Sequence, residues 1–157
     1  MNSTDDKYWA DYQTAGFSYS PRSGVHHYIE PDPSGQTTGV FPFAQPAGFV
    51  TAHNPGGPPI AKEVNDARHR ELEAAVAALG HKFFLAQGGR HGRAHQETGL
   101  LILDVSPQFV NEMGVRFGQA AIYIWSATEF LLEACGGRDE RKRSCSQGWK
   151  VNDISEK

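Results

Sequence analysis

A chain of 157 residues with 39% hydrophobic content is long enough for one domain with a real core and short for two. Its net charge of -3 and isoelectric point near 6.1 give no electrostatic basis for binding nucleic acid or an anionic membrane. No apolar run is long enough to span a bilayer, and the acidic start MNSTDDKYW does not read as a signal peptide.

In chain order, Ser3-Thr4-Asp5-Asp6 has the form of a helix start, and Tyr8, Trp9 and Tyr12 would share a face of that helix. From Gly16 to Ala47 the chain is rich in Gly, Pro and Ser, with two β-like pieces, Val25 to Glu30 and Thr38 to Phe43. Residues 1–47 therefore read as an aromatic-bearing arm. Gly48 to His53 is a short buried strand, stopped by Asn54-Pro55-Gly56-Gly57-Pro58-Pro59. A long helix follows from Ile60 to Leu79, closed by Gly80. Strands are expected over His81 to Gln87 and Thr98 to Val105, joined by a Gly-rich hairpin. Ser106-Pro107 starts a second helix that ends at Gly118. Ala120 to Ala127 alternates as a strand, with Tyr123 and Trp125 on one side and Ile122 and Ile124 on the other, and Phe130 to Cys135 reads as a last strand. Residues 136–157 read as a polar, charged tail, ordered only if Trp149 docks.

The core domain, residues 48–135, thus has the order β-α-β-β-α-β(-β). That order predicts an α+β fold, a single-domain split sandwich with helices packed on a mixed sheet. A parallel strand pair linked by the first long helix is part of that expectation. Two cysteines, Cys135 and Cys145, do not make a disulfide framework, so a cytoplasmic setting is expected, with loop closure between them as the minor alternative.

Spacing on the first long helix locates the candidate site. Leu72, Ala75, Val76 and Leu79 form an apolar stripe, and the same stripe traced backwards passes through Arg68, His69, Asn65 and Val64. The helix is core-facing at one end and polar-inward at the other, beside Thr51, His53 and Asn54. Arg68, Asn65, Asn54 and the free N–H groups of the helix start would seat a phosphate or carboxylate. The structural alternative is that Asn54 caps the turn and Arg68 ties the helix to the sheet or to Glu97. Gln119, at a strand start, is a ligand-orienting candidate, and His53 and Glu97 are the acid/base candidates. His91-x-x-x-His95-x-Glu97 has metal-ligand types but lies in a Gly-rich hairpin, and no metal site is expected.

The run FVTAHNP, the helical pair Asn65 and Arg68, Glu97 before an apolar strand, and Arg116-Phe117-Gly118-Gln119 together resemble a bacterial domain family of unknown function, number three-two-nine-three. The resemblance covers about residues 48–135. It implies that Thr51, Asn54, Pro55, Asn65, Arg68, Glu97, Phe117, Gly118 and Gln119 are signature positions; it implies no reaction. His53 departs from the pattern, where an aromatic such as Trp is expected. The reading is a small cytoplasmic bacterial protein that binds, with or without chemical conversion, a small anionic or nucleotide-like metabolite at the strand–helix end. The alternative is a non-enzymatic interaction module whose polar cluster is structural. The sequence leaves cofactor, oligomeric state and catalysis open.

Overall fold

Period-two alternation in eight strands, more than helix packing, decides the architecture. The computed structural model describes residues 3–56, 58–90, 96–136 and 143–155. Its elements are α1 (Ser3–Thr14), β1 (Phe17–Arg22), β2 (Val25–Asp32), β3 (Thr37–Thr38), β4 (Ala47–Thr51), α2 (Lys62–Ala78), β5 (Phe83–Gly88), β6 (Glu97–Ile102), α3 (Pro107–Arg116), β7 (Ala121–Trp125), β8 (Phe130–Ala134) and β9 (Ser144–Asp153). The strands pair in the order β2-β1-β5-β6-β4-β7-β8-β9, and β9 pairs back onto β2. Each of these pairings is antiparallel. The sheet is a closed eight-stranded barrel, with the two-residue β3 added in parallel to β9.

This corrects the expected α+β split sandwich. The helices do not cover one face of an open mixed sheet. Closure comes from β9, whose first half pairs with β8 (Phe130↔Gln147) and whose second half pairs with β2 (Ile29↔Val151). Three of the eight strands come from outside residues 48–135: β1 and β2 from the N-terminal stretch, β9 from the C-terminal one. The expected parallel pair is also absent. β4 and β5 run the same way, but β6 lies between them and is antiparallel to both. Of the second β-like piece, only Thr38 enters a strand. Pro31, read as a stop, lies inside β2, opposite Trp149. It is tolerated because the β1 pairing has ended by Ile29, so that edge of β2 needs no N–H at residue 31.

Alternation produces two cores. Inside the barrel, Phe17, Phe49, Tyr123, Trp125, Phe130 and Trp149 form an aromatic-rich filling. Outside it, Val50, Leu100, Ile102, Ile122 and Ile124 meet α2 and α3. β4 is buried on both faces for this reason. A Cβ on its Gly48 would stand 2.4 Å from Val110 Cγ2, so the glycine lets α3 lie close on the wall. Ser106 caps α3, its Oγ accepting from Phe109 N at 3.1 Å. On α2, Leu72 and Val76 are fully buried, but Leu79 is 56% exposed and Val64 50% exposed. Leu79 is the C-cap residue, where the helix outruns the wall, and Val64 is turned about 100° from Asn65.

Both barrel ends are covered. α1 lies over one, with Trp9 buried against the interior; Tyr123 Oη donates to Tyr12 O at 2.9 Å and Gln147 Nε2 to Gln13 O at 2.8 Å. At the other, Phe41 and Phe43 stand edge-on to Trp125, with ring centroids 4.9 and 5.9 Å away. Cys135 belongs to the outer core and Cys145 to the inner one, so the wall separates the two free thiols and no loop closes between them. Burial pushes the Cys135 thiol up to about 12. No helix among the described residues is long and apolar enough to cross a membrane.

Candidate functional site

The turn out of β4 is held by side chains that hydrogen-bond backbone and one another. Thr51 Oγ1 donates to Thr98 O at 2.7 Å and accepts from His53 N at 3.0 Å. Asn54 sits at φ 48°, the left-handed region that Asn tolerates better than other non-glycine residues. Its N–H donates to Asn65 Oδ1 at 2.8 Å, and its Oδ1 accepts from Asn65 Nδ2 at 2.8 Å and from Ile60 N at 3.0 Å. Its Nδ2 donates to Glu97 Oε1 at 2.9 Å. Both polar atoms of this buried side chain and its backbone N–H are therefore engaged, as burial requires.

Arg68 turns its guanidinium onto two carbonyls. Nε donates to Ala52 O at 2.7 Å, and Nη2 donates to Phe117 O. Gln119 Nε2 donates to His53 O at 3.0 Å and to Phe117 O at 3.2 Å. Gly56 N donates to Gly118 O at 2.9 Å, and a Cβ on Gly118, whose φ is 72°, would come 2.9 Å from Pro55 Cβ. The nine positions implied by the resemblance thus converge on one cluster that knots the β4–α2 turn to the start of β7.

That cluster backs onto a cavity. About 330 Å³ lies at the barrel end beneath α1, walled by Phe49, Tyr123 and Tyr12 and edged by Glu97, Gln119 and Arg90. The ring of Phe49 is laid over Gly88 and Gly99: a Cβ on either would come within 2.8 or 2.9 Å of it. Phe49 stacks on Phe17 at 5.4 Å and a 4° interplanar angle, which fixes this wall. Thr51, Ala121, Asp11 and Thr14 complete the part of the lining that matters chemically. Burial drives the Tyr123 phenol upward, so it stays protonated and donates to the Tyr12 carbonyl.

Of the candidate residues, Thr51, Glu97 and Gln119 line the cavity. Asn54, Asn65 and Arg68 stand behind its wall and hold the turn; Asn54, not Arg68, reaches Glu97. His53 and Glu97 are not brought together. The His53 ring faces His69, with centroids 6.2 Å apart and nearly perpendicular planes. Desolvation first, then His69 and Lys62, pull its pKa below the ordinary value, with Asp66 opposing. His91 and His95 lie outside the described residues.

Asp11, Tyr12, Arg90 and Ala121 were not singled out as site residues by spacing. The signal available for Tyr12 was its place on the aromatic face of the first helix; what that face packs on depends on barrel closure. Arg90 comes to the rim because the β5–β6 pairing sets Gly88 opposite Glu97.

No curated protein and no solved structure matches this chain. Residues 50–122, which contain the whole of the hydrogen-bonded cluster, match the family that their pattern resembles, a protein family of unknown function (DUF3293).

Proposed function

We propose that the protein binds a small metabolite in the cavity between α1 and the barrel end. The observation that carries this reading is the half-open pocket of about 330 Å³, with aromatic walls and a few polar groups at one edge. Pockets for small ligands have this size and this mix of apolar wall and placed polar groups. In this reading the ligand site is on the inner face of the β4 end, not against α2. The anion-seat role expected of Arg68 loses support, since its donors go to Ala52 O and Phe117 O. Among the described residues, Arg90 is the cation at the cavity, and an anionic or nucleotide-like ligand would direct its charged part there. If a reaction occurs, Glu97, a carboxylate in the cavity lining, is the candidate for proton transfer. The two thiols, kept apart by the wall, suit a reducing, cytoplasmic setting.

The test is mass spectrometry of small molecules released from natively purified protein, followed by thermal shift with those molecules. Ala121→Phe, which puts a ring into the cavity, should fold and lose the shift. An undiminished shift in folded Ala121→Phe would sink the proposal. The second reading, a non-enzymatic interaction module, is favoured by how fully Asn54 and Asn65 satisfy each other. It gains if no released molecule or anionic metabolite raises the melting temperature of the unaltered chain.

A further inference from the structure

We infer that the barrel end opposite α1 is a second ligand site, closed in this structure by Phe41 and Phe43, and that it takes a flat apolar molecule carrying a hydrogen-bond acceptor for the Trp125 indole N–H. This site is independent of the cavity beneath α1.

The wall has a seam at this end. The β1–β5 ladder runs from Phe17–Gly88 only to Tyr19–Ala86, so among the described residues Phe83, Phe84 and Leu85 pair with β6 alone. Beyond Tyr19 the register of β1 slips against β2, and Pro21 has no N–H to offer a neighbour. The ladder thus stops short of the barrel rim.

Two phenylalanine rings fill the seam. Phe43 lies over Phe84, with ring centroids 6.1 Å apart and planes 29° from parallel, and its centroid is also 6.1 Å from that of Tyr19. Phe41 stands perpendicular to Phe43 and to Trp125, at 5.5 and 4.9 Å. Both rings come from the connection between β3 and β4, which belongs to no strand. From Val40 to Gln45 only these two residues are even partly buried, and no hydrogen bond ties the stretch to the rest of the described residues. Ring packing alone holds the plug, so a molecule that packs as well and bonds better can replace it.

Beneath the plug lies an unmet donor. Trp125 is fully buried, and its Nε1 has no hydrogen-bond partner among the described residues. A buried indole N–H ordinarily finds an acceptor. Trp149, at the same end, finds one in Ser126 O. Around Trp125 stand the rings of Phe17, Tyr19, Phe41, Phe43 and Trp149, and a ring face is a weak acceptor. His27 Nδ1 is a second buried nitrogen without a partner among the described residues, on a ring 5.6 Å from Tyr19. A neutral imidazole nitrogen takes either role, so Trp125 sets the requirement.

The chemistry of the occupant follows. An indole N–H only donates, so the molecule must accept. It takes the place of phenyl rings among aromatic neighbours, so its body is flat and apolar. An aryl carbonyl compound has both properties; a hydrocarbon of the same shape has only the second.

Acetophenone and ethylbenzene differ in the carbonyl, and nitrogen–proton correlation spectra of the full chain separate them. The three tryptophans give three indole signals, of which that of Trp125 is assigned through its contact with the Phe41 ring. Acetophenone should move that signal downfield and saturate at millimolar concentration; ethylbenzene should bind about tenfold more weakly and without the downfield shift. Phe41→Ala, on an exposed stretch of chain, should fold and strengthen acetophenone binding by about tenfold. Acetophenone that leaves the signal in place in both the unaltered chain and Phe41→Ala would overturn the inference, and so would ethylbenzene binding as tightly. Ala121→Phe fills the cavity at the other end. A shift that survives it belongs to the Trp125 end whatever the fate of the cavity reading. A shift lost with it places the probe in that cavity and overturns the inference.

Discussion

Asn54 and Asn65 clasp each other across the turn from β4 to α2. The Asn54 N–H donates to Asn65 Oδ1 and the Asn65 amide donates to Asn54 Oδ1, each at 2.8 Å. Both residues are 7% exposed, so neither has water as a substitute partner. Asn65→Ala removes two hydrogen bonds and leaves a buried backbone N–H unsatisfied. The expected loss is about 2–3 kcal/mol of unfolding free energy, read from urea denaturation. A loss under about 0.5 kcal/mol would mean that the turn is held by something else.

Arg68 bridges two elements that sequence spacing could not show to be neighbours, the end of β4 and the C-terminus of α3. Arg68→Lys keeps the charge but cannot present a planar fork to Ala52 O and Phe117 O together. It should cost about 1–3 kcal/mol while leaving ligand-induced stabilisation in place. If Arg68→Lys folds as stably as the unaltered chain and loses the ligand response, Arg68 is an anion seat after all.

The candidate cluster was legible because its residues lie within 50–122, where Asn65 and Arg68 repeat at helical spacing and flank a punctuated turn. Caps were legible too, since Ser106-Pro107 is a local signal and Gly80 takes φ 82° as a chain end of α2 requires. The barrel was not legible. Its closing strands carry weak patterns: β2 contains Pro31, and the inward residues of β9 are Cys145, Gln147, Trp149 and Val151, of which one is polar. Strand partners at a separation of about the whole chain, such as His27 and Asp153, leave no local trace. The cavity depends on that closure, and so Asp11, Tyr12 and Arg90 could not be assigned to it.

Gly99 is a case where backbone, not flexibility, dictates the residue. A Cβ there would stand 2.5 Å from Val50 O on the neighbouring strand and 2.9 Å from the Phe49 ring. The carbonyl belongs to the β4–β6 ladder and cannot step aside. Gly99→Ala should destabilise by about 1–3 kcal/mol and push Phe49 towards the cavity. Denaturation measures the first effect; loss of bound ligand in native mass spectrometry measures the second. An unchanged unfolding midpoint would contradict the close approach.

His53 gives the fold a pH dependence with a definite sign. Its pKa in the folded chain is below the ordinary 6.5, through desolvation and the neighbouring His69 and Lys62, against a smaller pull from Asp66. Between the folded value and 6.5 the unfolded chain binds more protons, so stability rises with pH there. The contribution is fully present above 6.5 and is lost as the pH falls through the folded value. Melting temperatures across pH 7.5 to 5 should fall less steeply for His53→Gln than for the unaltered chain. Parallel curves would show that His53 is not a source of the slope.

Trp149 decides whether the C-terminal strand is part of the domain or an addition to it. It is 1% exposed, stands edge-on to Trp125 at 5.5 Å, and donates Nε1–H to Ser126 O at 2.9 Å. The same residue pairs in register with Pro31 on β2, so its side chain fills the barrel while its backbone closes it. Trp149→Ala should therefore cost about 3–5 kcal/mol, the range for emptying a large aromatic site. The loss should also be directional. Amide exchange should accelerate on β2 and β8, the two barrel strands flanking β9, before it does so on β4 and β6, which α2 and α3 hold from outside. Uniform acceleration would mean that the barrel opens as one unit, and no acceleration would mean that the β8–β2 gap is closed without β9.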